Sequence, residues 1–225
     1  MIEYMMHCGN DNTVANTARV SMELDGEWAD LPDDYTEDQR DRLIAYLARE
    51  QHTSPFRHNS ITIRCSVPIF LARQLGKHQV GMSWNEVSRR YVSSDFTYFG
   101  GSGWRAKPNK NIKQGSSGLL PLESQVMLDD VYENVLDVAQ GAYDTMIVEG
   151  VAPEMARMVL PQSMMTQFIW TGSLMAFAHV YRLRIDGHAQ VEAQEFAKAL
   201  DEIIRPLFPV SWRTLTGQDQ IGIKQ

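Results

Sequence analysis

The sequence predicts an α+β fold, a mostly antiparallel sheet flanked by helices, in a single domain spanning residues 1–225. Three observations carry that expectation. A chain of 225 residues with 44% hydrophobic content can enclose one sizeable core and does not require two. Ile61, Ile63, Cys65 and Val67 alternate with Thr62, Arg64 and Ser66, the period of two expected of a strand with one buried face. Apolar residues recur at helical spacing over 37–50, 119–149 and 190–204.

In chain order, Ile2 to Met6 reads as a short strand, followed by Asp11 as an N-cap and a helix reaching Ala18. Residues 23–35 mix acids, Gly26 and Pro32 without periodicity and read as a loop. Thr36 with Gln39 forms a capping box, acids fill the next turn, and Leu43, Ile44 and Leu47 make 37–50 an amphipathic helix. Gln51 to His58 is a polar turn. After the 61–67 strand, Pro68 opens a short helix over Ile69–Leu75 with Gly76 as terminator, and the chain leaves it as a loop. Gly100 to Gly118 holds Arg105, Lys107, Lys110 and Lys113 and no acid. It reads as a basic, Gly/Ser-rich surface loop, with a lid over an anionic ligand as the alternative. Helices follow over Leu119–Glu149 and from Pro153 to Pro161, then a strand over Met164–Trp170. Helices over Ser173–Leu183 and Gln190–Ile204 come next, and Pro206 and Pro209 open an irregular tail.

Composition excludes several classes of function. No apolar run approaches the roughly 20 residues that cross a bilayer, and the amino terminus carries no basic stretch followed by a long apolar one, so a cytoplasmic protein without membrane partners is expected. Cys8 and Cys65 are far apart and form no C-x-x-C pair, which argues against a disulfide framework and a thiolate metal site; no metal is expected. A formal charge of −7 argues against a general nucleic-acid partner.

Against that acidity, residues 71–91 stand out. Arg73, Lys77, Arg89 and Arg90 face a single acid, Glu86, so this stretch is locally basic. Arg-Arg beside the Ser88 hydroxyl suits a phosphate, because guanidinium forks make two charge-assisted hydrogen bonds. Gln74, Asn85 and Glu86 offer the mixed donors and acceptors that recognise a sugar or a base edge. The stretch therefore suits a nucleotide, with a solvated basic surface as the plain alternative. Cys65, on the apolar side of its strand, reads as core, and neither cysteine is placed as a nucleophile. Met164, Met165 and Met175 read as core filler.

The order Arg73-Gln74, Lys77-His78-Gln79, then Ser83-x-Asn85-Glu86-x-Ser88-x-Arg90-Tyr91 resembles the signature of the flavin-dependent thymidylate synthases, usually Arg-His-Arg, two residues, Ser, with Ser-x-Arg-Tyr following. Other segments match the same family in the same order. They are Ala18-Arg19-Val20-Ser21, the His52–His58 turn with Ser54-Pro55-Phe56, Pro68 to Gln74, Glu154 to Pro161, Phe168-Ile169-Trp170-Thr171, and Leu183-Arg184 with His188-Ala189-Gln190. The resemblance covers roughly Thr17 to Pro209.

What it implies is reductive methylation of dUMP to dTMP, with methylenetetrahydrofolate as one-carbon donor, FAD as cofactor and NADPH as its reductant. By position, Arg90 and Arg157 would grip the phosphate with Ser88 and the Arg89 main chain. Gln74 and Glu86 would contact the nucleotide, Glu86 facing the flavin too. Arg184 would lie on the pyrimidine edge and stabilise negative charge as carbon 5 becomes nucleophilic. Ser88 invites a catalytic reading as nucleophile, but with no base beside it in the sequence it suits phosphate binding better. On the flavin side the pattern points to Ser21, His52, Ser54, Lys77, His78, Gln79, Ser173 and His179. Here the chain departs from the family. Lys77 and Gln79 replace two arginines, and Val80-Gly81-Met82 is one residue longer than the usual spacer. Arg57 stands where Glu is common, and Ser173, Met175 and His179 stand where Asn, Arg and Asn are. These changes imply either weaker FAD binding or compensation by Arg57 and His179, and a non-catalytic dUMP- or flavin-binding relative is the alternative function. The family also implies a homotetramer with shared active sites, in which Arg157 reaches a neighbouring chain's ligand.

Overall fold

The alternating run at 61–67 is the central strand of a four-stranded antiparallel sheet. This is seen in a computed structural model of the chain, which describes residues 1–22, 28–91, 96–101, 103–108 and 115–218. The strands are β1 (Ile2–Cys8), β2 (Ser60–Pro68), β3 (Met82–Glu86) and β4 (Met165–Ser173), in the order β1-β2-β4-β3. β2 pairs with β4 along its whole length, from Ser60 opposite Ser173 to Pro68 opposite Met165. Ile61, Ile63, Cys65 and Val67 are fully buried, as their period of two requires.

Helices close over the buried face. They are α1 (Asp11–Arg19), α2 (Glu37–Arg49), α3 (Ile69–Leu75), α4 (Leu122–Val148), α5 (Pro153–Ala156), α6 (Leu174–Arg184), α7 (Val191–Ile204) and α8 (Pro209–Thr216). Trp170 of β4, fully buried, meets Phe177 of α6 edge-on at 5.4 Å and Phe196 of α7 at 6.2 Å. One cluster of buried side chains runs from Val14 to Leu215, so the architecture is the expected α+β single domain. The predicted capping box of α2 is present: Gln39 N donates to Thr36 Oγ1 at 3.3 Å and Thr36 N to Gln39 Oε1 at 2.9 Å.

Four expectations need correcting. The stretch after α3 does not stay a loop, because Met82–Glu86 forms β3 and pairs with β4 from Met82 opposite Gly172 to Glu86 opposite Phe168. Trp84 drives this, its ring stacked on Phe168 at 3.4 Å and 18°. Asn10, not Asp11, caps α1: its Oδ1 accepts from Thr13 N at 2.9 Å. Asp11 is buried and accepts instead from Val210 N at 2.8 Å and Ser211 N at 2.9 Å. Those amides open α8, so the tail begins a helix where it was expected to be irregular. Pro209 occupies its first turn, where a missing N–H costs nothing. The segment after Pro153 is one short helix and a 3-10 turn, Arg157–Val159. Lys110 and Lys113 of the basic stretch lie outside the described residues. Among the described residues, no helix is long and apolar enough to cross a membrane.

Candidate active site

β3 is an edge strand, and α3 ends beside it, so the residues between them open towards solvent. Two cavities meet along this edge and share Ile69 and Glu86. The larger, of about 620 Å³, is lined by Arg73, Lys77, His78, Gln79, Met82 and Trp84 among others. The smaller, of about 380 Å³, is lined by Ser88, Arg89, Arg90 and Arg157, with Thr166 and Met164 beneath. Glu86 sits at the junction. Its carboxylate accepts from Trp84 Nε1 at 3.2 Å and from Thr166 Oγ1 at 2.8 Å, so strand neighbours fix its orientation.

In the smaller cavity Arg90 and Arg157 are held by neutral groups. Ser88 Oγ accepts from the Arg90 main-chain N at 3.3 Å and from Arg90 Nε at 3.2 Å. Arg157 Nε donates to Glu154 O at 3.2 Å, and the Arg89 guanidinium lies 4.7 Å from the centre of the Phe96 ring. Three arginines and one hydroxyl lining a single cavity give the donor set a phosphate wants. Arg157, expected to serve a neighbouring chain, lines the same cavity as Ser88 and Arg90 of its own chain. The Ser88 hydroxyl faces donors, and no His or carboxylate hydrogen-bonds to it among the described residues, so no base is in place to activate it as a nucleophile. Cys65 cannot serve either. It is fully buried, and burial pushes its thiol up to about 12.

Arg184, the last residue of α6, reaches the larger cleft through His78. Its Nε donates to His78 Nε2 at 3.1 Å and its Nη2 lies 2.9 Å from the same nitrogen. A guanidinium only donates, so His78 Nε2 accepts and the imidazole is neutral. Burial, then the adjacent Arg184 and His179, lower the His78 pKa to about 4. Burial also pushes the Arg184 guanidinium below its usual value. The His179 ring stands edge-on to His78 at 5.8 Å.

The remaining expected residues are more dispersed. Ser173 caps α6, accepting from Ala176 N at 3.2 Å, and its own N donates to Gly81 O at 3.2 Å, which ties the longer 80–82 spacer to β4. Gln74 lies on α3, its Oε1 buried without a hydrogen-bond partner. Ser21, His52 and Ser54 line neither cavity. Ser21 Oγ donates to Ala18 O at 3.0 Å, and the His52 ring stands edge-on to Tyr46 at 5.9 Å. Reasoning from sequence did not select Trp84 or Thr166, the two residues that fix Glu86. The period of two through Met82, Trp84 and Glu86 was the available signal. Among the described residues, no group of three or more His, Cys, Asp or Glu could hold a metal ion.

The residues present fit a flavin nucleotide on the larger side. Lys77 and Arg73 are cations suited to its phosphates, Gln79 and His78 offer polar edges, and Met82, Trp84 and Ile69 give an apolar wall for a flat ring. Gln74, whose Oε1 is buried without a partner among the described residues, lines neither cavity.

Comparison with known proteins agrees with these cavities. The family model described as thymidylate synthase complementing protein, Thy1, matches residues 1–210. The flavin-dependent thymidylate synthase of Thermus thermophilus is 34% identical over 204 residues, covering 91% of this chain and 71% of that protein. That of Thermotoga neapolitana is 32% identical over 211 residues, covering 92% and 87%. Among solved structures, the UMP/dUMP methylase PolB from Streptomyces cacaoi bound with 5-Br dUMP superposes with a TM-score of 0.83 at 28% identity, covering 96% of this chain and 94% of that one. The chain belongs to the thymidylate synthase complementing protein family, that of the flavin-dependent thymidylate synthases.

Proposed function

We propose the following division of labour for the reductive methylation of dUMP to dTMP, the reaction this enzyme catalyses with FAD, NADPH and methylenetetrahydrofolate. The observation that carries it is the pair of cavities meeting at Glu86, one lined by Ser88, Arg89, Arg90 and Arg157 and the other by Lys77, His78, Gln79 and Trp84. Ser88, Arg90, Arg157 and the Arg89 main chain bind the dUMP phosphate. Gln74 and Glu86 orient the sugar and base, and Glu86 also faces the flavin. When bound, the flavin supplies the hydride that turns the carbon donated by methylenetetrahydrofolate into a methyl group.

Arg184 acts on the pyrimidine edge, where its fixed positive charge stabilises the negative charge that develops as carbon 5 becomes nucleophilic. His78 is a positioning residue for it. A neutral imidazole holds the guanidinium in place without neutralising it, as a carboxylate partner would. Lys77, His78 and Gln79 bind FAD, with Ser173 and His179 at the edge of the cleft. Ser21, His52 and Ser54 join the flavin site from a neighbouring subunit, because within one chain they stand apart from the cleft.

The assembly is a homotetramer. Support comes from α4, where Met127, Val131, Val135 and Val138 recur at helical spacing and are each more than half exposed. An apolar stripe of that kind on a 27-residue helix suits a partner helix. The protein works in the cytoplasm, in keeping with two unpaired cysteines, Cys8 and Cys65.

Tritium release from dUMP labelled at carbon 5 tests the reaction. Release should need FAD, NADPH and methylenetetrahydrofolate together and stop when any one is withheld. Tight dUMP binding with no release would show a nucleotide-binding relative instead. Sizing should give a tetramer, and a fully active monomer would refute the assembly.

A further inference from the structure

A third cavity, of about 690 Å³, shares no lining residue with the two that meet at Glu86. It lies between α3, residues 98–101 and 103–105, the inner side of α4 and the first turn of α7. Its walls are aromatic. Phe70 and Phe99 meet edge-on at 5.5 Å, and Trp104 and Tyr132 at 5.6 Å. Hydrogen bonds at the rim fix those rings: Tyr132 OH donates to Phe99 O at 2.8 Å, Trp104 Nε1 to Asp129 Oδ1 at 2.8 Å, and Tyr98 OH to Gln140 Oε1 at 2.8 Å. The cavity is thus preformed rather than a gap between loose side chains.

Two buried polar atoms in its lining have no hydrogen-bond partner, Glu192 Oε2 and Ser163 Oγ. Glu192 is only 4% exposed, and its other oxygen takes Arg105 Nη2 at 2.5 Å. Burial, the largest single influence, raises the Glu192 carboxyl, but the hydrogen bond and charge of Arg105 together with hydrogen bonds from the Glu192 main chain and the Gln190 side chain outweigh it, and the group is held below the usual carboxylate range. An ionised carboxylate only accepts, so whatever meets Oε2 must present an N–H or O–H. Among the described residues, Asp129, Glu133 and Glu192 line the cavity against one guanidinium, that of Arg105, a balance that disfavours an anion.

We propose that this cavity is a second small-molecule site, for a flat aromatic ring with an amidine-type N–H edge, the ring between Phe70, Phe99, Trp104 and Tyr132 and the N–H edge on Glu192. Ser163 offers the second polar contact. The proposal is independent of the roles assigned around Glu86.

Benzamidine is the probe, titrated calorimetrically into the intact enzyme saturated with dUMP, with neutral benzamide and anionic benzoate as comparators. Benzamidine should bind saturably at one per chain, benzamide at least tenfold more weakly and benzoate not at all. Leu136→Trp, which narrows the cavity at its wall, should weaken benzamidine binding at least tenfold and leave dUMP affinity unchanged. Glu192→Gln should narrow the difference between benzamidine and benzamide. Absence of saturable benzamidine binding to the wild-type enzyme, equal binding of benzamide, or unaltered binding in a folded Leu136→Trp protein would each overturn the proposal.

Discussion

The smaller cavity holds Arg90 by contact with a hydroxyl and Arg157 by contact with a carbonyl, neither of which cancels their charge. The larger cleft is different: its most consequential cation, Arg184, is bound by a histidine that must stay neutral to hold it. On the proposed roles, nucleotide-phosphate recognition depends on charge that is present at any physiological pH, while the catalytic side depends on a protonation state. Of the departures from the family's signature, Lys77 and Gln79 line this second side, and the others are at Arg57, Ser173, Met175 and His179. On the phosphate side Ser88, Arg90 and Arg157 keep the expected types. The phosphate side should thus tolerate little change, and the flavin side should show tuning.

The largest effect expected is from Arg184→Ala. Losing a group aimed at developing charge costs about 10²- to 10³-fold in rate, so kcat should fall by that order while dUMP still binds. Steady-state turnover beside equilibrium dUMP titration separates the two. Next come Arg90→Ala and Arg157→Ala. Each removes charge-assisted hydrogen bonds of about 1.5–3 kcal/mol, so the dUMP dissociation constant should rise roughly ten- to a hundredfold, with kcat at saturation little changed. A kcat loss equal to that of Arg184→Ala would erase the distinction between the cavities.

pH gives a smaller and more diagnostic effect. His78 has a folded pKa of about 4, below its ordinary value of 6.5. Below 6.5 the unfolded chain binds a proton that the folded chain refuses, so stability present above that value declines as pH falls towards about 4. The Arg184 contact goes with it, since imidazolium has no lone pair for a guanidinium. Thermal melts of the wild type should be flat in this respect above pH 6.5 and fall between 6.5 and 4, and His78→Gln should lose less across that window. The smallest effect is on FAD. Restoring arginine in Lys77→Arg with Gln79→Arg should tighten FAD by about 1 kcal/mol or somewhat more, roughly five- to tenfold, in an apo-protein titration. Unchanged affinity would mean that the altered residues are already compensated.

How much of this was legible in the sequence follows the range of the interactions involved. α2 announces itself through a local box between Thr36 and Gln39, and β2 through its own alternation. β3 escaped because five residues give only three inward positions, and what makes them a strand is Phe168, more than 80 positions away. α8 escaped because Pro209 reads as a breaker unless its amides have an acceptor, and the acceptor is Asp11 at the other end of the chain. Within the site, Ser88, Arg90 and Lys77 to Gln79 were found because they are close in sequence. Trp84 and Thr166 act on Glu86 through sheet pairing, and the partnership of Arg184 with His78 spans 106 positions. The third cavity has no sequence signal at all, being made where four separate segments meet.

The central claim is that Arg184 performs the activation and Ser88 only binds phosphate. Single-turnover methylation at saturating dUMP in Ser88→Ala and Arg184→Ala tests it most directly. The account predicts that Ser88→Ala keeps a rate within a few-fold of wild type once dUMP saturates, and that Arg184→Ala loses the chemical step at any dUMP concentration. Loss of the chemical step in folded, dUMP-saturated Ser88→Ala, with Arg184→Ala still turning over, would contradict it.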